Sequence, residues 1–220
     1  MISLLLGMSL AKPGVLILAG GGETSPQMVQ RFFQAIGGPD RKILVLGQTR
    51  EEPPNARSSV ELLNENGATN VVLVDDISFD RKKLSAYAKE WADARGFWIP
   101  GGDQNFFMDR FGVRWARWYF PKRLREGVSF FGTSAGAMIA SHTMIAGNGD
   151  DGQVLTAPGI GLTKILIDTH YRERNRQARM RQALARTGAP MAIGIERSEF
   201  IVLENDQLIE QVGSADVVRL

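Results

Sequence analysis

Residues 128–137 have the sequence VSFFGTSAGA. The apolar run 128–131 predicts a buried strand, and the small residues that follow predict a tight turn into a helix. Within that turn, Gly132, Ser134 and Gly136 form the G-x-S-x-G pattern of a nucleophile elbow. The stretch therefore predicts an α/β fold in which Ser134 lies at the carboxyl edge of the sheet as a candidate nucleophile.

The rest of the chain alternates apolar runs with amphipathic stretches, as in βαβ units with a mostly parallel sheet. The other predicted strands are residues 15–19, 43–47, 71–74, 96–100, 165–167 and 192–195. The predicted helices are 27–36 behind the cap Ser25-Pro26, 59–66, 81–94, one or two within 105–124, and 135–142. Residues 200–203 and 207–211 flank Asn205-Asp206 and predict a C-terminal β-hairpin. We expect one three-layer α/β domain over 15–220.

Composition excludes several classes of protein. The chain has 220 residues, of which 44% are hydrophobic and 23% charged, as in a globular domain. It has no cysteine, which excludes disulfides and cysteine-ligated zinc, and its two histidines lack metal-ligand spacing. No dinucleotide or P-loop motif is present, so we expect no cofactor and no metal. A net charge of +2 is too small to indicate a nucleic-acid partner.

Residues 1–14 form an apolar leader in this interpretation. The apolar stretch is shorter than the roughly 20 residues that span a bilayer, so we expect no membrane span. It resembles the core of a secretory signal but lacks the basic segment that precedes such a core. We therefore expect a cytoplasmic location, with a secreted or periplasmic one as the alternative. A homodimer is compatible with the sequence.

A serine nucleophile needs a base, and the chain offers two histidines. His142 lies eight residues after Ser134 on the same predicted helix, roughly 12 Å along its axis, which is too far for a hydrogen bond. His170 follows the predicted strand 165–167, whose carboxyl end lies at the edge where parallel sheets bind ligands. We therefore predict that His170 is the base.

The acid that orients the imidazole is open between three residues: Asp168, Glu196 and Glu199. Asp168, His170 and Arg172 alternate along the chain, so they share one face if this segment stays extended. Glu196 and Glu199 follow the predicted strand 192–195 instead.

Two further segments are candidates for substrate binding. Residues 101–104, Gly-Gly-Asp-Gln, follow a predicted strand, and their glycines allow the main chain to approach a ligand closely. Asp103 and Gln104 could hydrogen-bond a substrate, or Asp103 could simply cap a helix. Residues 172–181 carry five arginines, and on a helix Arg172, Arg176 and Arg179 would share a face opposite Arg174 and Arg181. Such a run is either a solvated face or a set of carboxylate-binding forks.

These motifs together resemble the cyanophycinase and α-aspartyl dipeptidase family of serine peptidases, over nearly the whole chain from about Val15. The similar segments are 20–23, 101–104, 132–137, 144–147, 159–162 and above all 168–179, which is similar to the cyanophycinase run D-Q-H-x-x-x-R-x-R-x-x-R. The resemblance implies a class I glutamine amidotransferase-like, flavodoxin-like fold. The arginine run and Gln104 make the chain more similar to the cyanophycinases than to the dipeptidases.

The resemblance also implies roles for individual residues. Ser134 would attack the peptide carbonyl and His170 would take its proton, while the N–H groups of Gly102 and Ala135 would stabilise the oxyanion. The substrate-binding residues implied by the same comparison are Asp103, Gln104, Asp168, Arg174, Arg176 and Arg179. The triad acid of the family comes from the segment that matches 193–197.

Two positions depart from the family pattern. Thr169 stands where the family usually has glutamine, and residues 193–197 are Ile-Gly-Ile-Glu-Arg where the family has I-G-I-D-E. Glu196 keeps a carboxylate one position early, so we predict Glu196 as the acid, and Arg197 replaces the usual glutamate.

The predicted activity is that of a serine exopeptidase that hydrolyses aspartyl peptides, such as β-aspartyl-arginine, through an acyl-enzyme. Its partner would be a peptide of acidic and arginine character. Two alternatives are a binding protein that has lost catalysis on the same scaffold, and an esterase or amidase with unrelated substrates.

Overall fold

The computed structural model describes residues 12–50, 54–75 and 81–219. The helices are α1 Pro26–Ile36, α2 Pro54–Glu65, α3 Arg81–Glu90, α4 Gln104–Phe111, α5 Val113–Arg125, α6 Ala135–Met138 and α7 Gln177–Thr187. The strands are β1 Leu16–Ala19, β2 Ile43–Leu46, β3 Val71–Val74, β4 Gly96–Ile99, β5 Ser129–Thr133, β6 Thr143–Asn148, β7 Val154–Pro158, β8 Leu166–Thr169, β9 Ala192–Ile195, β10 Phe200–Glu204, β11 Gln207–Val212 and β12 Asp216–Val218. Most of the predicted leader, residues 1–11, lies outside the described residues.

The main sheet has seven strands in the order β11-β10-β1-β5-β4-β2-β3. The strands β1, β5, β4, β2 and β3 are parallel to one another. At one edge of the sheet, β10 pairs antiparallel with β1 and β11 pairs antiparallel with β10. Asn205 and Asp206 connect β10 to β11 with φ angles of 51° and 61°, as a two-residue hairpin turn with two left-handed positions requires. This mixed sheet with flanking helices confirms the predicted α/β class.

Helices cover both faces of the main sheet. On one face, α1 and α2 pack against Ile17, Val45 and Phe131. On the other face, α3, α4 and α5 pack in a layer rich in buried aromatic rings: Trp91, Phe97, Phe107, Phe111, Tyr119, Phe120 and Phe130. Each fully buried side chain of this size contributes about 1.5–3 kcal/mol, so the two layers stabilise the main sheet from both faces.

The boundaries of α1 follow from its sequence. The Ser25 hydroxyl accepts a hydrogen bond from Met28 N, Pro26 occupies the first helical position, and the helix ends at Gly37 in the left-handed conformation. The segment predicted as one or two helices within 105–124 forms two, α4 and α5, which meet at Gly112 with a φ of 73°.

The helix predicted over 135–142 is shorter than expected and ends at Met138. The chain leaves the helix because Ser141 forms a β-bridge with Thr163 and His142 N donates a hydrogen bond to Thr163 O. The strands β6 and β7 then form an antiparallel hairpin of their own.

A second, three-stranded sheet has the order β12-β9-β8 and adds to the predicted architecture. β8 and β9 are parallel, while β12 is antiparallel to β9 instead of extending the C-terminal hairpin. One face of this sheet contributes Ile167, Ile193 and Ile195 to the aromatic core, and α7 covers the opposite face. The strand that leads to His170 therefore belongs to this small sheet and not to the main one.

Among the residues that the structure describes, no helix is long and apolar enough to cross a membrane.

Candidate active site

Ser134 occupies a sharp turn between β5 and α6. Its φ is 52° and its ψ is −117°, a strained conformation for a residue with a side chain. The flanking glycines are needed for close packing. A Cβ on Gly132 would collide with the main chain of Gly136, and one on Gly136 would collide with Ile99 O. The turn therefore has the geometry that the G-x-S-x-G pattern predicts.

The structure brings Ser134 and His170 together. Ser134 Oγ lies 3.0 Å from His170 Nε2, within hydrogen-bond distance. The main chain at the end of β1 holds both residues: Ser134 N donates to Ala19 O at 3.0 Å, and His170 N donates to Gly20 O at 2.9 Å. His142 instead contacts the main chain of Thr163.

The segment around His170 is not extended, contrary to the expectation that Asp168, His170 and Arg172 share a face. β8 ends at Thr169, and His170 has a φ of 50°, which begins a turn. The turn is closed by a hydrogen bond from Arg174 N to His170 O at 3.1 Å. Asp168 is consequently directed into the protein, where it is fully buried, while His170 lines the cleft at the elbow.

The carboxylate that faces His170 belongs to Glu173, a residue that sequence reasoning missed. Glu173 Oε2 lies 3.0 Å from His170 Nδ1, on the side of the ring opposite Ser134. The hydrogen bond with His170, assisted by the nearby charges of Arg197 and Arg174, lowers the pKa of Glu173 from its ordinary value despite some desolvation. A spacing of three residues was the available signal, because such pairs face each other on a helical turn. The assumption of an extended segment concealed it.

Glu196 does not occupy the position predicted for it. Its carboxylate accepts hydrogen bonds from the main-chain N–H groups of Arg172 and Glu173, at 2.5 and 3.0 Å, and of Arg197, at 2.8 Å. Burial raises the pKa of Glu196, but these donors and the Arg172 charge outweigh burial, so its pKa lies below the ordinary value. Glu196 therefore anchors the turn that carries Glu173 and does not contact the imidazole.

The other two candidate acids are also engaged elsewhere. Glu199 Oε1 accepts a hydrogen bond from Arg172 Nη2 at 2.9 Å. The same guanidinium pairs with Asp216 at 3.0 Å and donates to Ser214 O, so Arg172 fastens the segment before β12. Asp168 accepts two hydrogen bonds from Arg179, one from Nε and one from Nη2. It accepts a longer one from Arg176 Nη1, at 3.4 Å.

Arg174, Arg176 and Arg179 lie together, in contrast to the face pattern expected from a continuous helix. α7 begins only at Gln177, so the preceding arginines belong to the turn. These three arginines line a side cleft of about 210 Å³ beside Ser134 and Gln104. Burial and the positive charge of Arg179 both lower the pKa of Arg176, while the negative charge of Asp168 raises it in part. The exposed Arg174 also lines the main cleft.

The main cleft has a volume of about 680 Å³ and includes Gly21, Gly101, Ser134 and His170. Gly101 lies directly against the elbow, since a Cβ there would be 3.2 Å from Ser134 Cβ. A Cβ on Gly102 would collide with Thr49 O, so the main chain passes close to its neighbour at this point. Ala135 begins α6, and its N–H therefore has no acceptor within the helix.

Asp103 and Gln104 have structural partners. Asp103 caps α4, and its Oδ1 accepts hydrogen bonds from Asn105 N and Nδ2 at 2.8 and 2.9 Å. Gln104 Nε2 donates to Ile145 O at 2.8 Å, which ties the strand-end loop to the β6–β7 hairpin. Both residues still line the side cleft. Across the described ranges, no cluster of three or more histidine or acidic side chains could hold a metal ion.

A paired serine and histidine at the elbow of an α/β sheet define the class of α/β serine hydrolases. A family model for peptidase family S51 matches residues 16–211. The chain therefore belongs to peptidase family S51, and this membership confirms that it is a serine peptidase of the kind that the sequence resembles.

Relatives of known identity agree with this assignment. The chain is 28% identical to the cyanophycinase of Geminocystis herdmanii (strain PCC 6308), in an alignment that covers 94% of this chain and 79% of that protein. It is 26% identical to the cyanophycinase of Trichormus variabilis (strain ATCC 29413 / PCC 7937), in an alignment that covers 94% of this chain and 72% of that protein.

Two solved structures share the fold. A Listeria monocytogenes EGD-e protein, a candidate peptidase E, superposes with a TM-score of 0.65 and 16% identity, over 94% of this chain and 99% of its own. A peptidase from an acI-B1 Actinobacterium gives a TM-score of 0.62 and 17% identity, over 96% of this chain and 98% of its own.

Proposed function

We propose that this peptidase is an exopeptidase that hydrolyses β-aspartyl-arginine peptides through an acyl-enzyme at Ser134. The observation that carries the proposal is the 3.0 Å separation between Ser134 Oγ and His170 Nε2 on a strained elbow. A hydroxyl in hydrogen-bond contact with an imidazole can lose its proton as it attacks a carbonyl. The cyanophycinase relatives support the substrate class.

The reaction proceeds in two steps. In the first, Ser134 Oγ bonds to the peptide carbonyl carbon while its proton moves to His170 Nε2. The N–H groups of Gly102 and Ala135 hydrogen-bond the oxyanion that develops. His170 then protonates the amine as the C–N bond breaks. In the second step, water attacks the ester carbonyl and gives a proton to His170. His170 returns that proton to Ser134 Oγ as the acyl–oxygen bond breaks and the acid is released.

The charges in the two clefts suit an acidic substrate. Arg174 lies beside Ser134 in both clefts, and its side chain is exposed. Arg176 and Arg179 add positive charge on the side-cleft wall, although the buried Asp168 balances part of it. An arginine fork binds a carboxylate through two parallel hydrogen bonds, so Arg174 is suited to the free carboxylate of a β-linked aspartyl residue.

The experiment compares hydrolysis of synthetic β-aspartyl-arginine and α-aspartyl-arginine by the wild type and by Ser134→Ala. We expect cleavage of the β-linked peptide and a fall in kcat of about 10⁶-fold in the variant, as for removal of a hydrolase nucleophile. A fluorophosphonate probe should label the wild type but not the variant.

Retention of activity in Ser134→Ala would remove this serine from the mechanism. Absence of both labelling and turnover in the folded wild type would favour the binding-protein alternative. Turnover of esters or other amides without cleavage of either peptide would contradict the proposed substrate.

A further inference from the structure

The turn after β8 carries both the imidazole and the carboxylate that faces it. His170 Nδ1 and Glu173 Oε2 are 3.0 Å apart, and His170 Nε2 is directed at Ser134. A carboxylate at Nδ1 favours the tautomer whose proton is on that nitrogen, which leaves Nε2 free to accept a proton from the serine. The geometry of the three side chains is therefore that of a complete triad.

The other carboxylates near the turn are committed to different partners. Asp168 is fully buried against Arg176 and Arg179, and Glu196 accepts three main-chain hydrogen bonds. One of these donors is the N–H of Glu173 itself, at 3.0 Å, so Glu196 fixes the main chain from which Glu173 extends. Glu196 thus contributes to the site through Glu173 and not through the ring.

Arg197 occupies the surface next to this pair. Its Nη1 lies 3.4 Å from Glu173 Oε1, and its aliphatic stem passes over Gly22, where a Cβ would be 2.5 Å from Arg197 Cγ. One oxygen of Glu173 therefore faces the imidazole while the other faces a guanidinium. Because the Glu173 side chain is 39% exposed, water screens both interactions.

We propose that Glu173 is the positioning residue that orients His170 and that Arg197 offsets part of its negative charge. The triad acid is thereby supplied from the turn after β8, and an arginine stands after β9. This inference rests on the proposed serine mechanism. Glu173 takes up no proton during the reaction; its negative charge stabilises the imidazolium that forms when Ser134 gives up its proton.

The charges that face this pair come from several elements. Arg174 belongs to the same turn, Arg197 and Glu196 extend from the loop after β9, and Arg50 and Asp103 line the main cleft. The hydrogen bond with His170 and the flanking arginines lower the pKa of Glu173, so it carries its negative charge at neutral pH. Glu173 favours the imidazolium, whereas Arg197 disfavours it.

The test is the pH profile of kcat/KM for the wild type, Glu173→Gln and Arg197→Gln. Loss of the Glu173 charge removes a negative charge that stabilises the imidazolium, so it should move the acid limb of the profile to lower pH. It should also reduce kcat/KM by about 10²-fold, less than the roughly 10⁴-fold effect of a buried triad carboxylate. Loss of the Arg197 charge should move the acid limb to higher pH. A purely structural role predicts no shift in either direction.

One control variant and Ser134→Ala separate the explanations. Glu210→Gln removes a surface charge that pairs with Arg31 and lines neither cleft near Ser134, so it should leave the acid limb in place. An unchanged limb in Glu173→Gln, with Ser134→Ala inactive, would overturn this inference and leave the proposed function intact. A limb that moved as far in Glu210→Gln as in Glu173→Gln would also overturn it. Activity in Ser134→Ala would reject the proposed function itself.

Discussion

Ser134 Oγ and His170 Nε2 lie 3.0 Å apart although their residues follow strands of two different sheets. The end of β1 makes this possible, because Ala19 O and Gly20 O accept hydrogen bonds from Ser134 N and His170 N. Gly21 O accepts a third, from Ser198 N at 2.9 Å, in the loop that follows β9. Three segments that are distant in sequence are therefore aligned by consecutive carbonyl groups.

The first prediction concerns Gly21→Ala. Gly21 has a φ of 104°, and a Cβ at this position would collide with the His170 imidazole. The ring must then move away from Ser134, and a displacement of about 1 Å can cost about 10²-fold in rate. We expect kcat/KM to fall by at least that factor in a steady-state assay, while the variant still unfolds cooperatively.

Gly67→Ala is the matched control for this change. Gly67 has a nearly identical φ of 102°, but nothing lies within 4 Å of an added Cβ. Both variants carry the backbone cost of a left-handed alanine, about 1–2 kcal/mol, so only the collision with His170 differs. Equal activity in the two variants would contradict the claim that the imidazole must stay in place.

The second prediction concerns Asp168→Asn. Asp168 is fully buried, and its partners Arg176 and Arg179 have side chains that are only 16% and 13% exposed. Removal of the negative charge leaves two nearly buried guanidinium groups without a counter-charge, which should cost about 3–5 kcal/mol. Urea unfolding monitored by circular dichroism measures this loss directly. Glu210→Gln, which breaks the more exposed pair with Arg31, should cost no more than about 1 kcal/mol, and equal losses would disprove the distinction.

The third prediction concerns Arg174→Gln. If the exposed Arg174 binds the substrate carboxylate, its loss should raise KM for β-aspartyl-arginine about tenfold, the equivalent of about 1.4 kcal/mol. Arg181→Gln removes an exposed arginine from α7 that lines neither cleft near Ser134, and KM should stay at the wild-type value. Similar KM values for both variants would exclude Arg174 as a substrate contact.

The fourth prediction is a pH dependence of stability that arises from Glu196. Its pKa in the folded protein lies below the ordinary value of 4.5, so its stabilising effect is present above that pH and is lost as the pH falls through the folded pKa. Glu196→Gln should therefore be about 1 kcal/mol less stable than the wild type near pH 7. The difference should shrink below pH 4.5, as measured by urea unfolding at a series of pH values. A difference that did not vary with pH would refute an ionised anchor.

Local signals predicted the elements that carry the site. The Ser25-Pro26 start of α1, the glycines around Ser134 and the hairpin at Asn205-Asp206 all depend on the conformational preferences of a few adjacent residues, and each is found as predicted. Such preferences act between residues that are adjacent in sequence, so they can be recognised without the tertiary structure.

The orientation of the segment after β8 was not predictable in the same way. Treating it as extended placed Asp168 and His170 on a common face, but the left-handed φ of His170 reverses the chain direction at that residue. The reversal depends on the hydrogen bond from His170 N to Gly20 O, which joins residues 150 positions apart. The sequence of 168–179 alone could not predict that contact, because its other partner, Gly20, lies outside this segment.

The sequence by itself determined the α/β class, the elbow at Ser134 and the choice of His170, because strand periodicity, glycine spacing and a scarcity of histidines need no knowledge of distant contacts. Only the tertiary structure decided which carboxylate meets the imidazole. Asp168, Glu173, Glu196 and Glu199 are chemically alike, and what separates them is whether a buried arginine, a ring nitrogen, main-chain N–H groups or Arg172 lies within reach of each. That choice depends on how two sheets pack against the end of β1, and packing is a property of the folded chain.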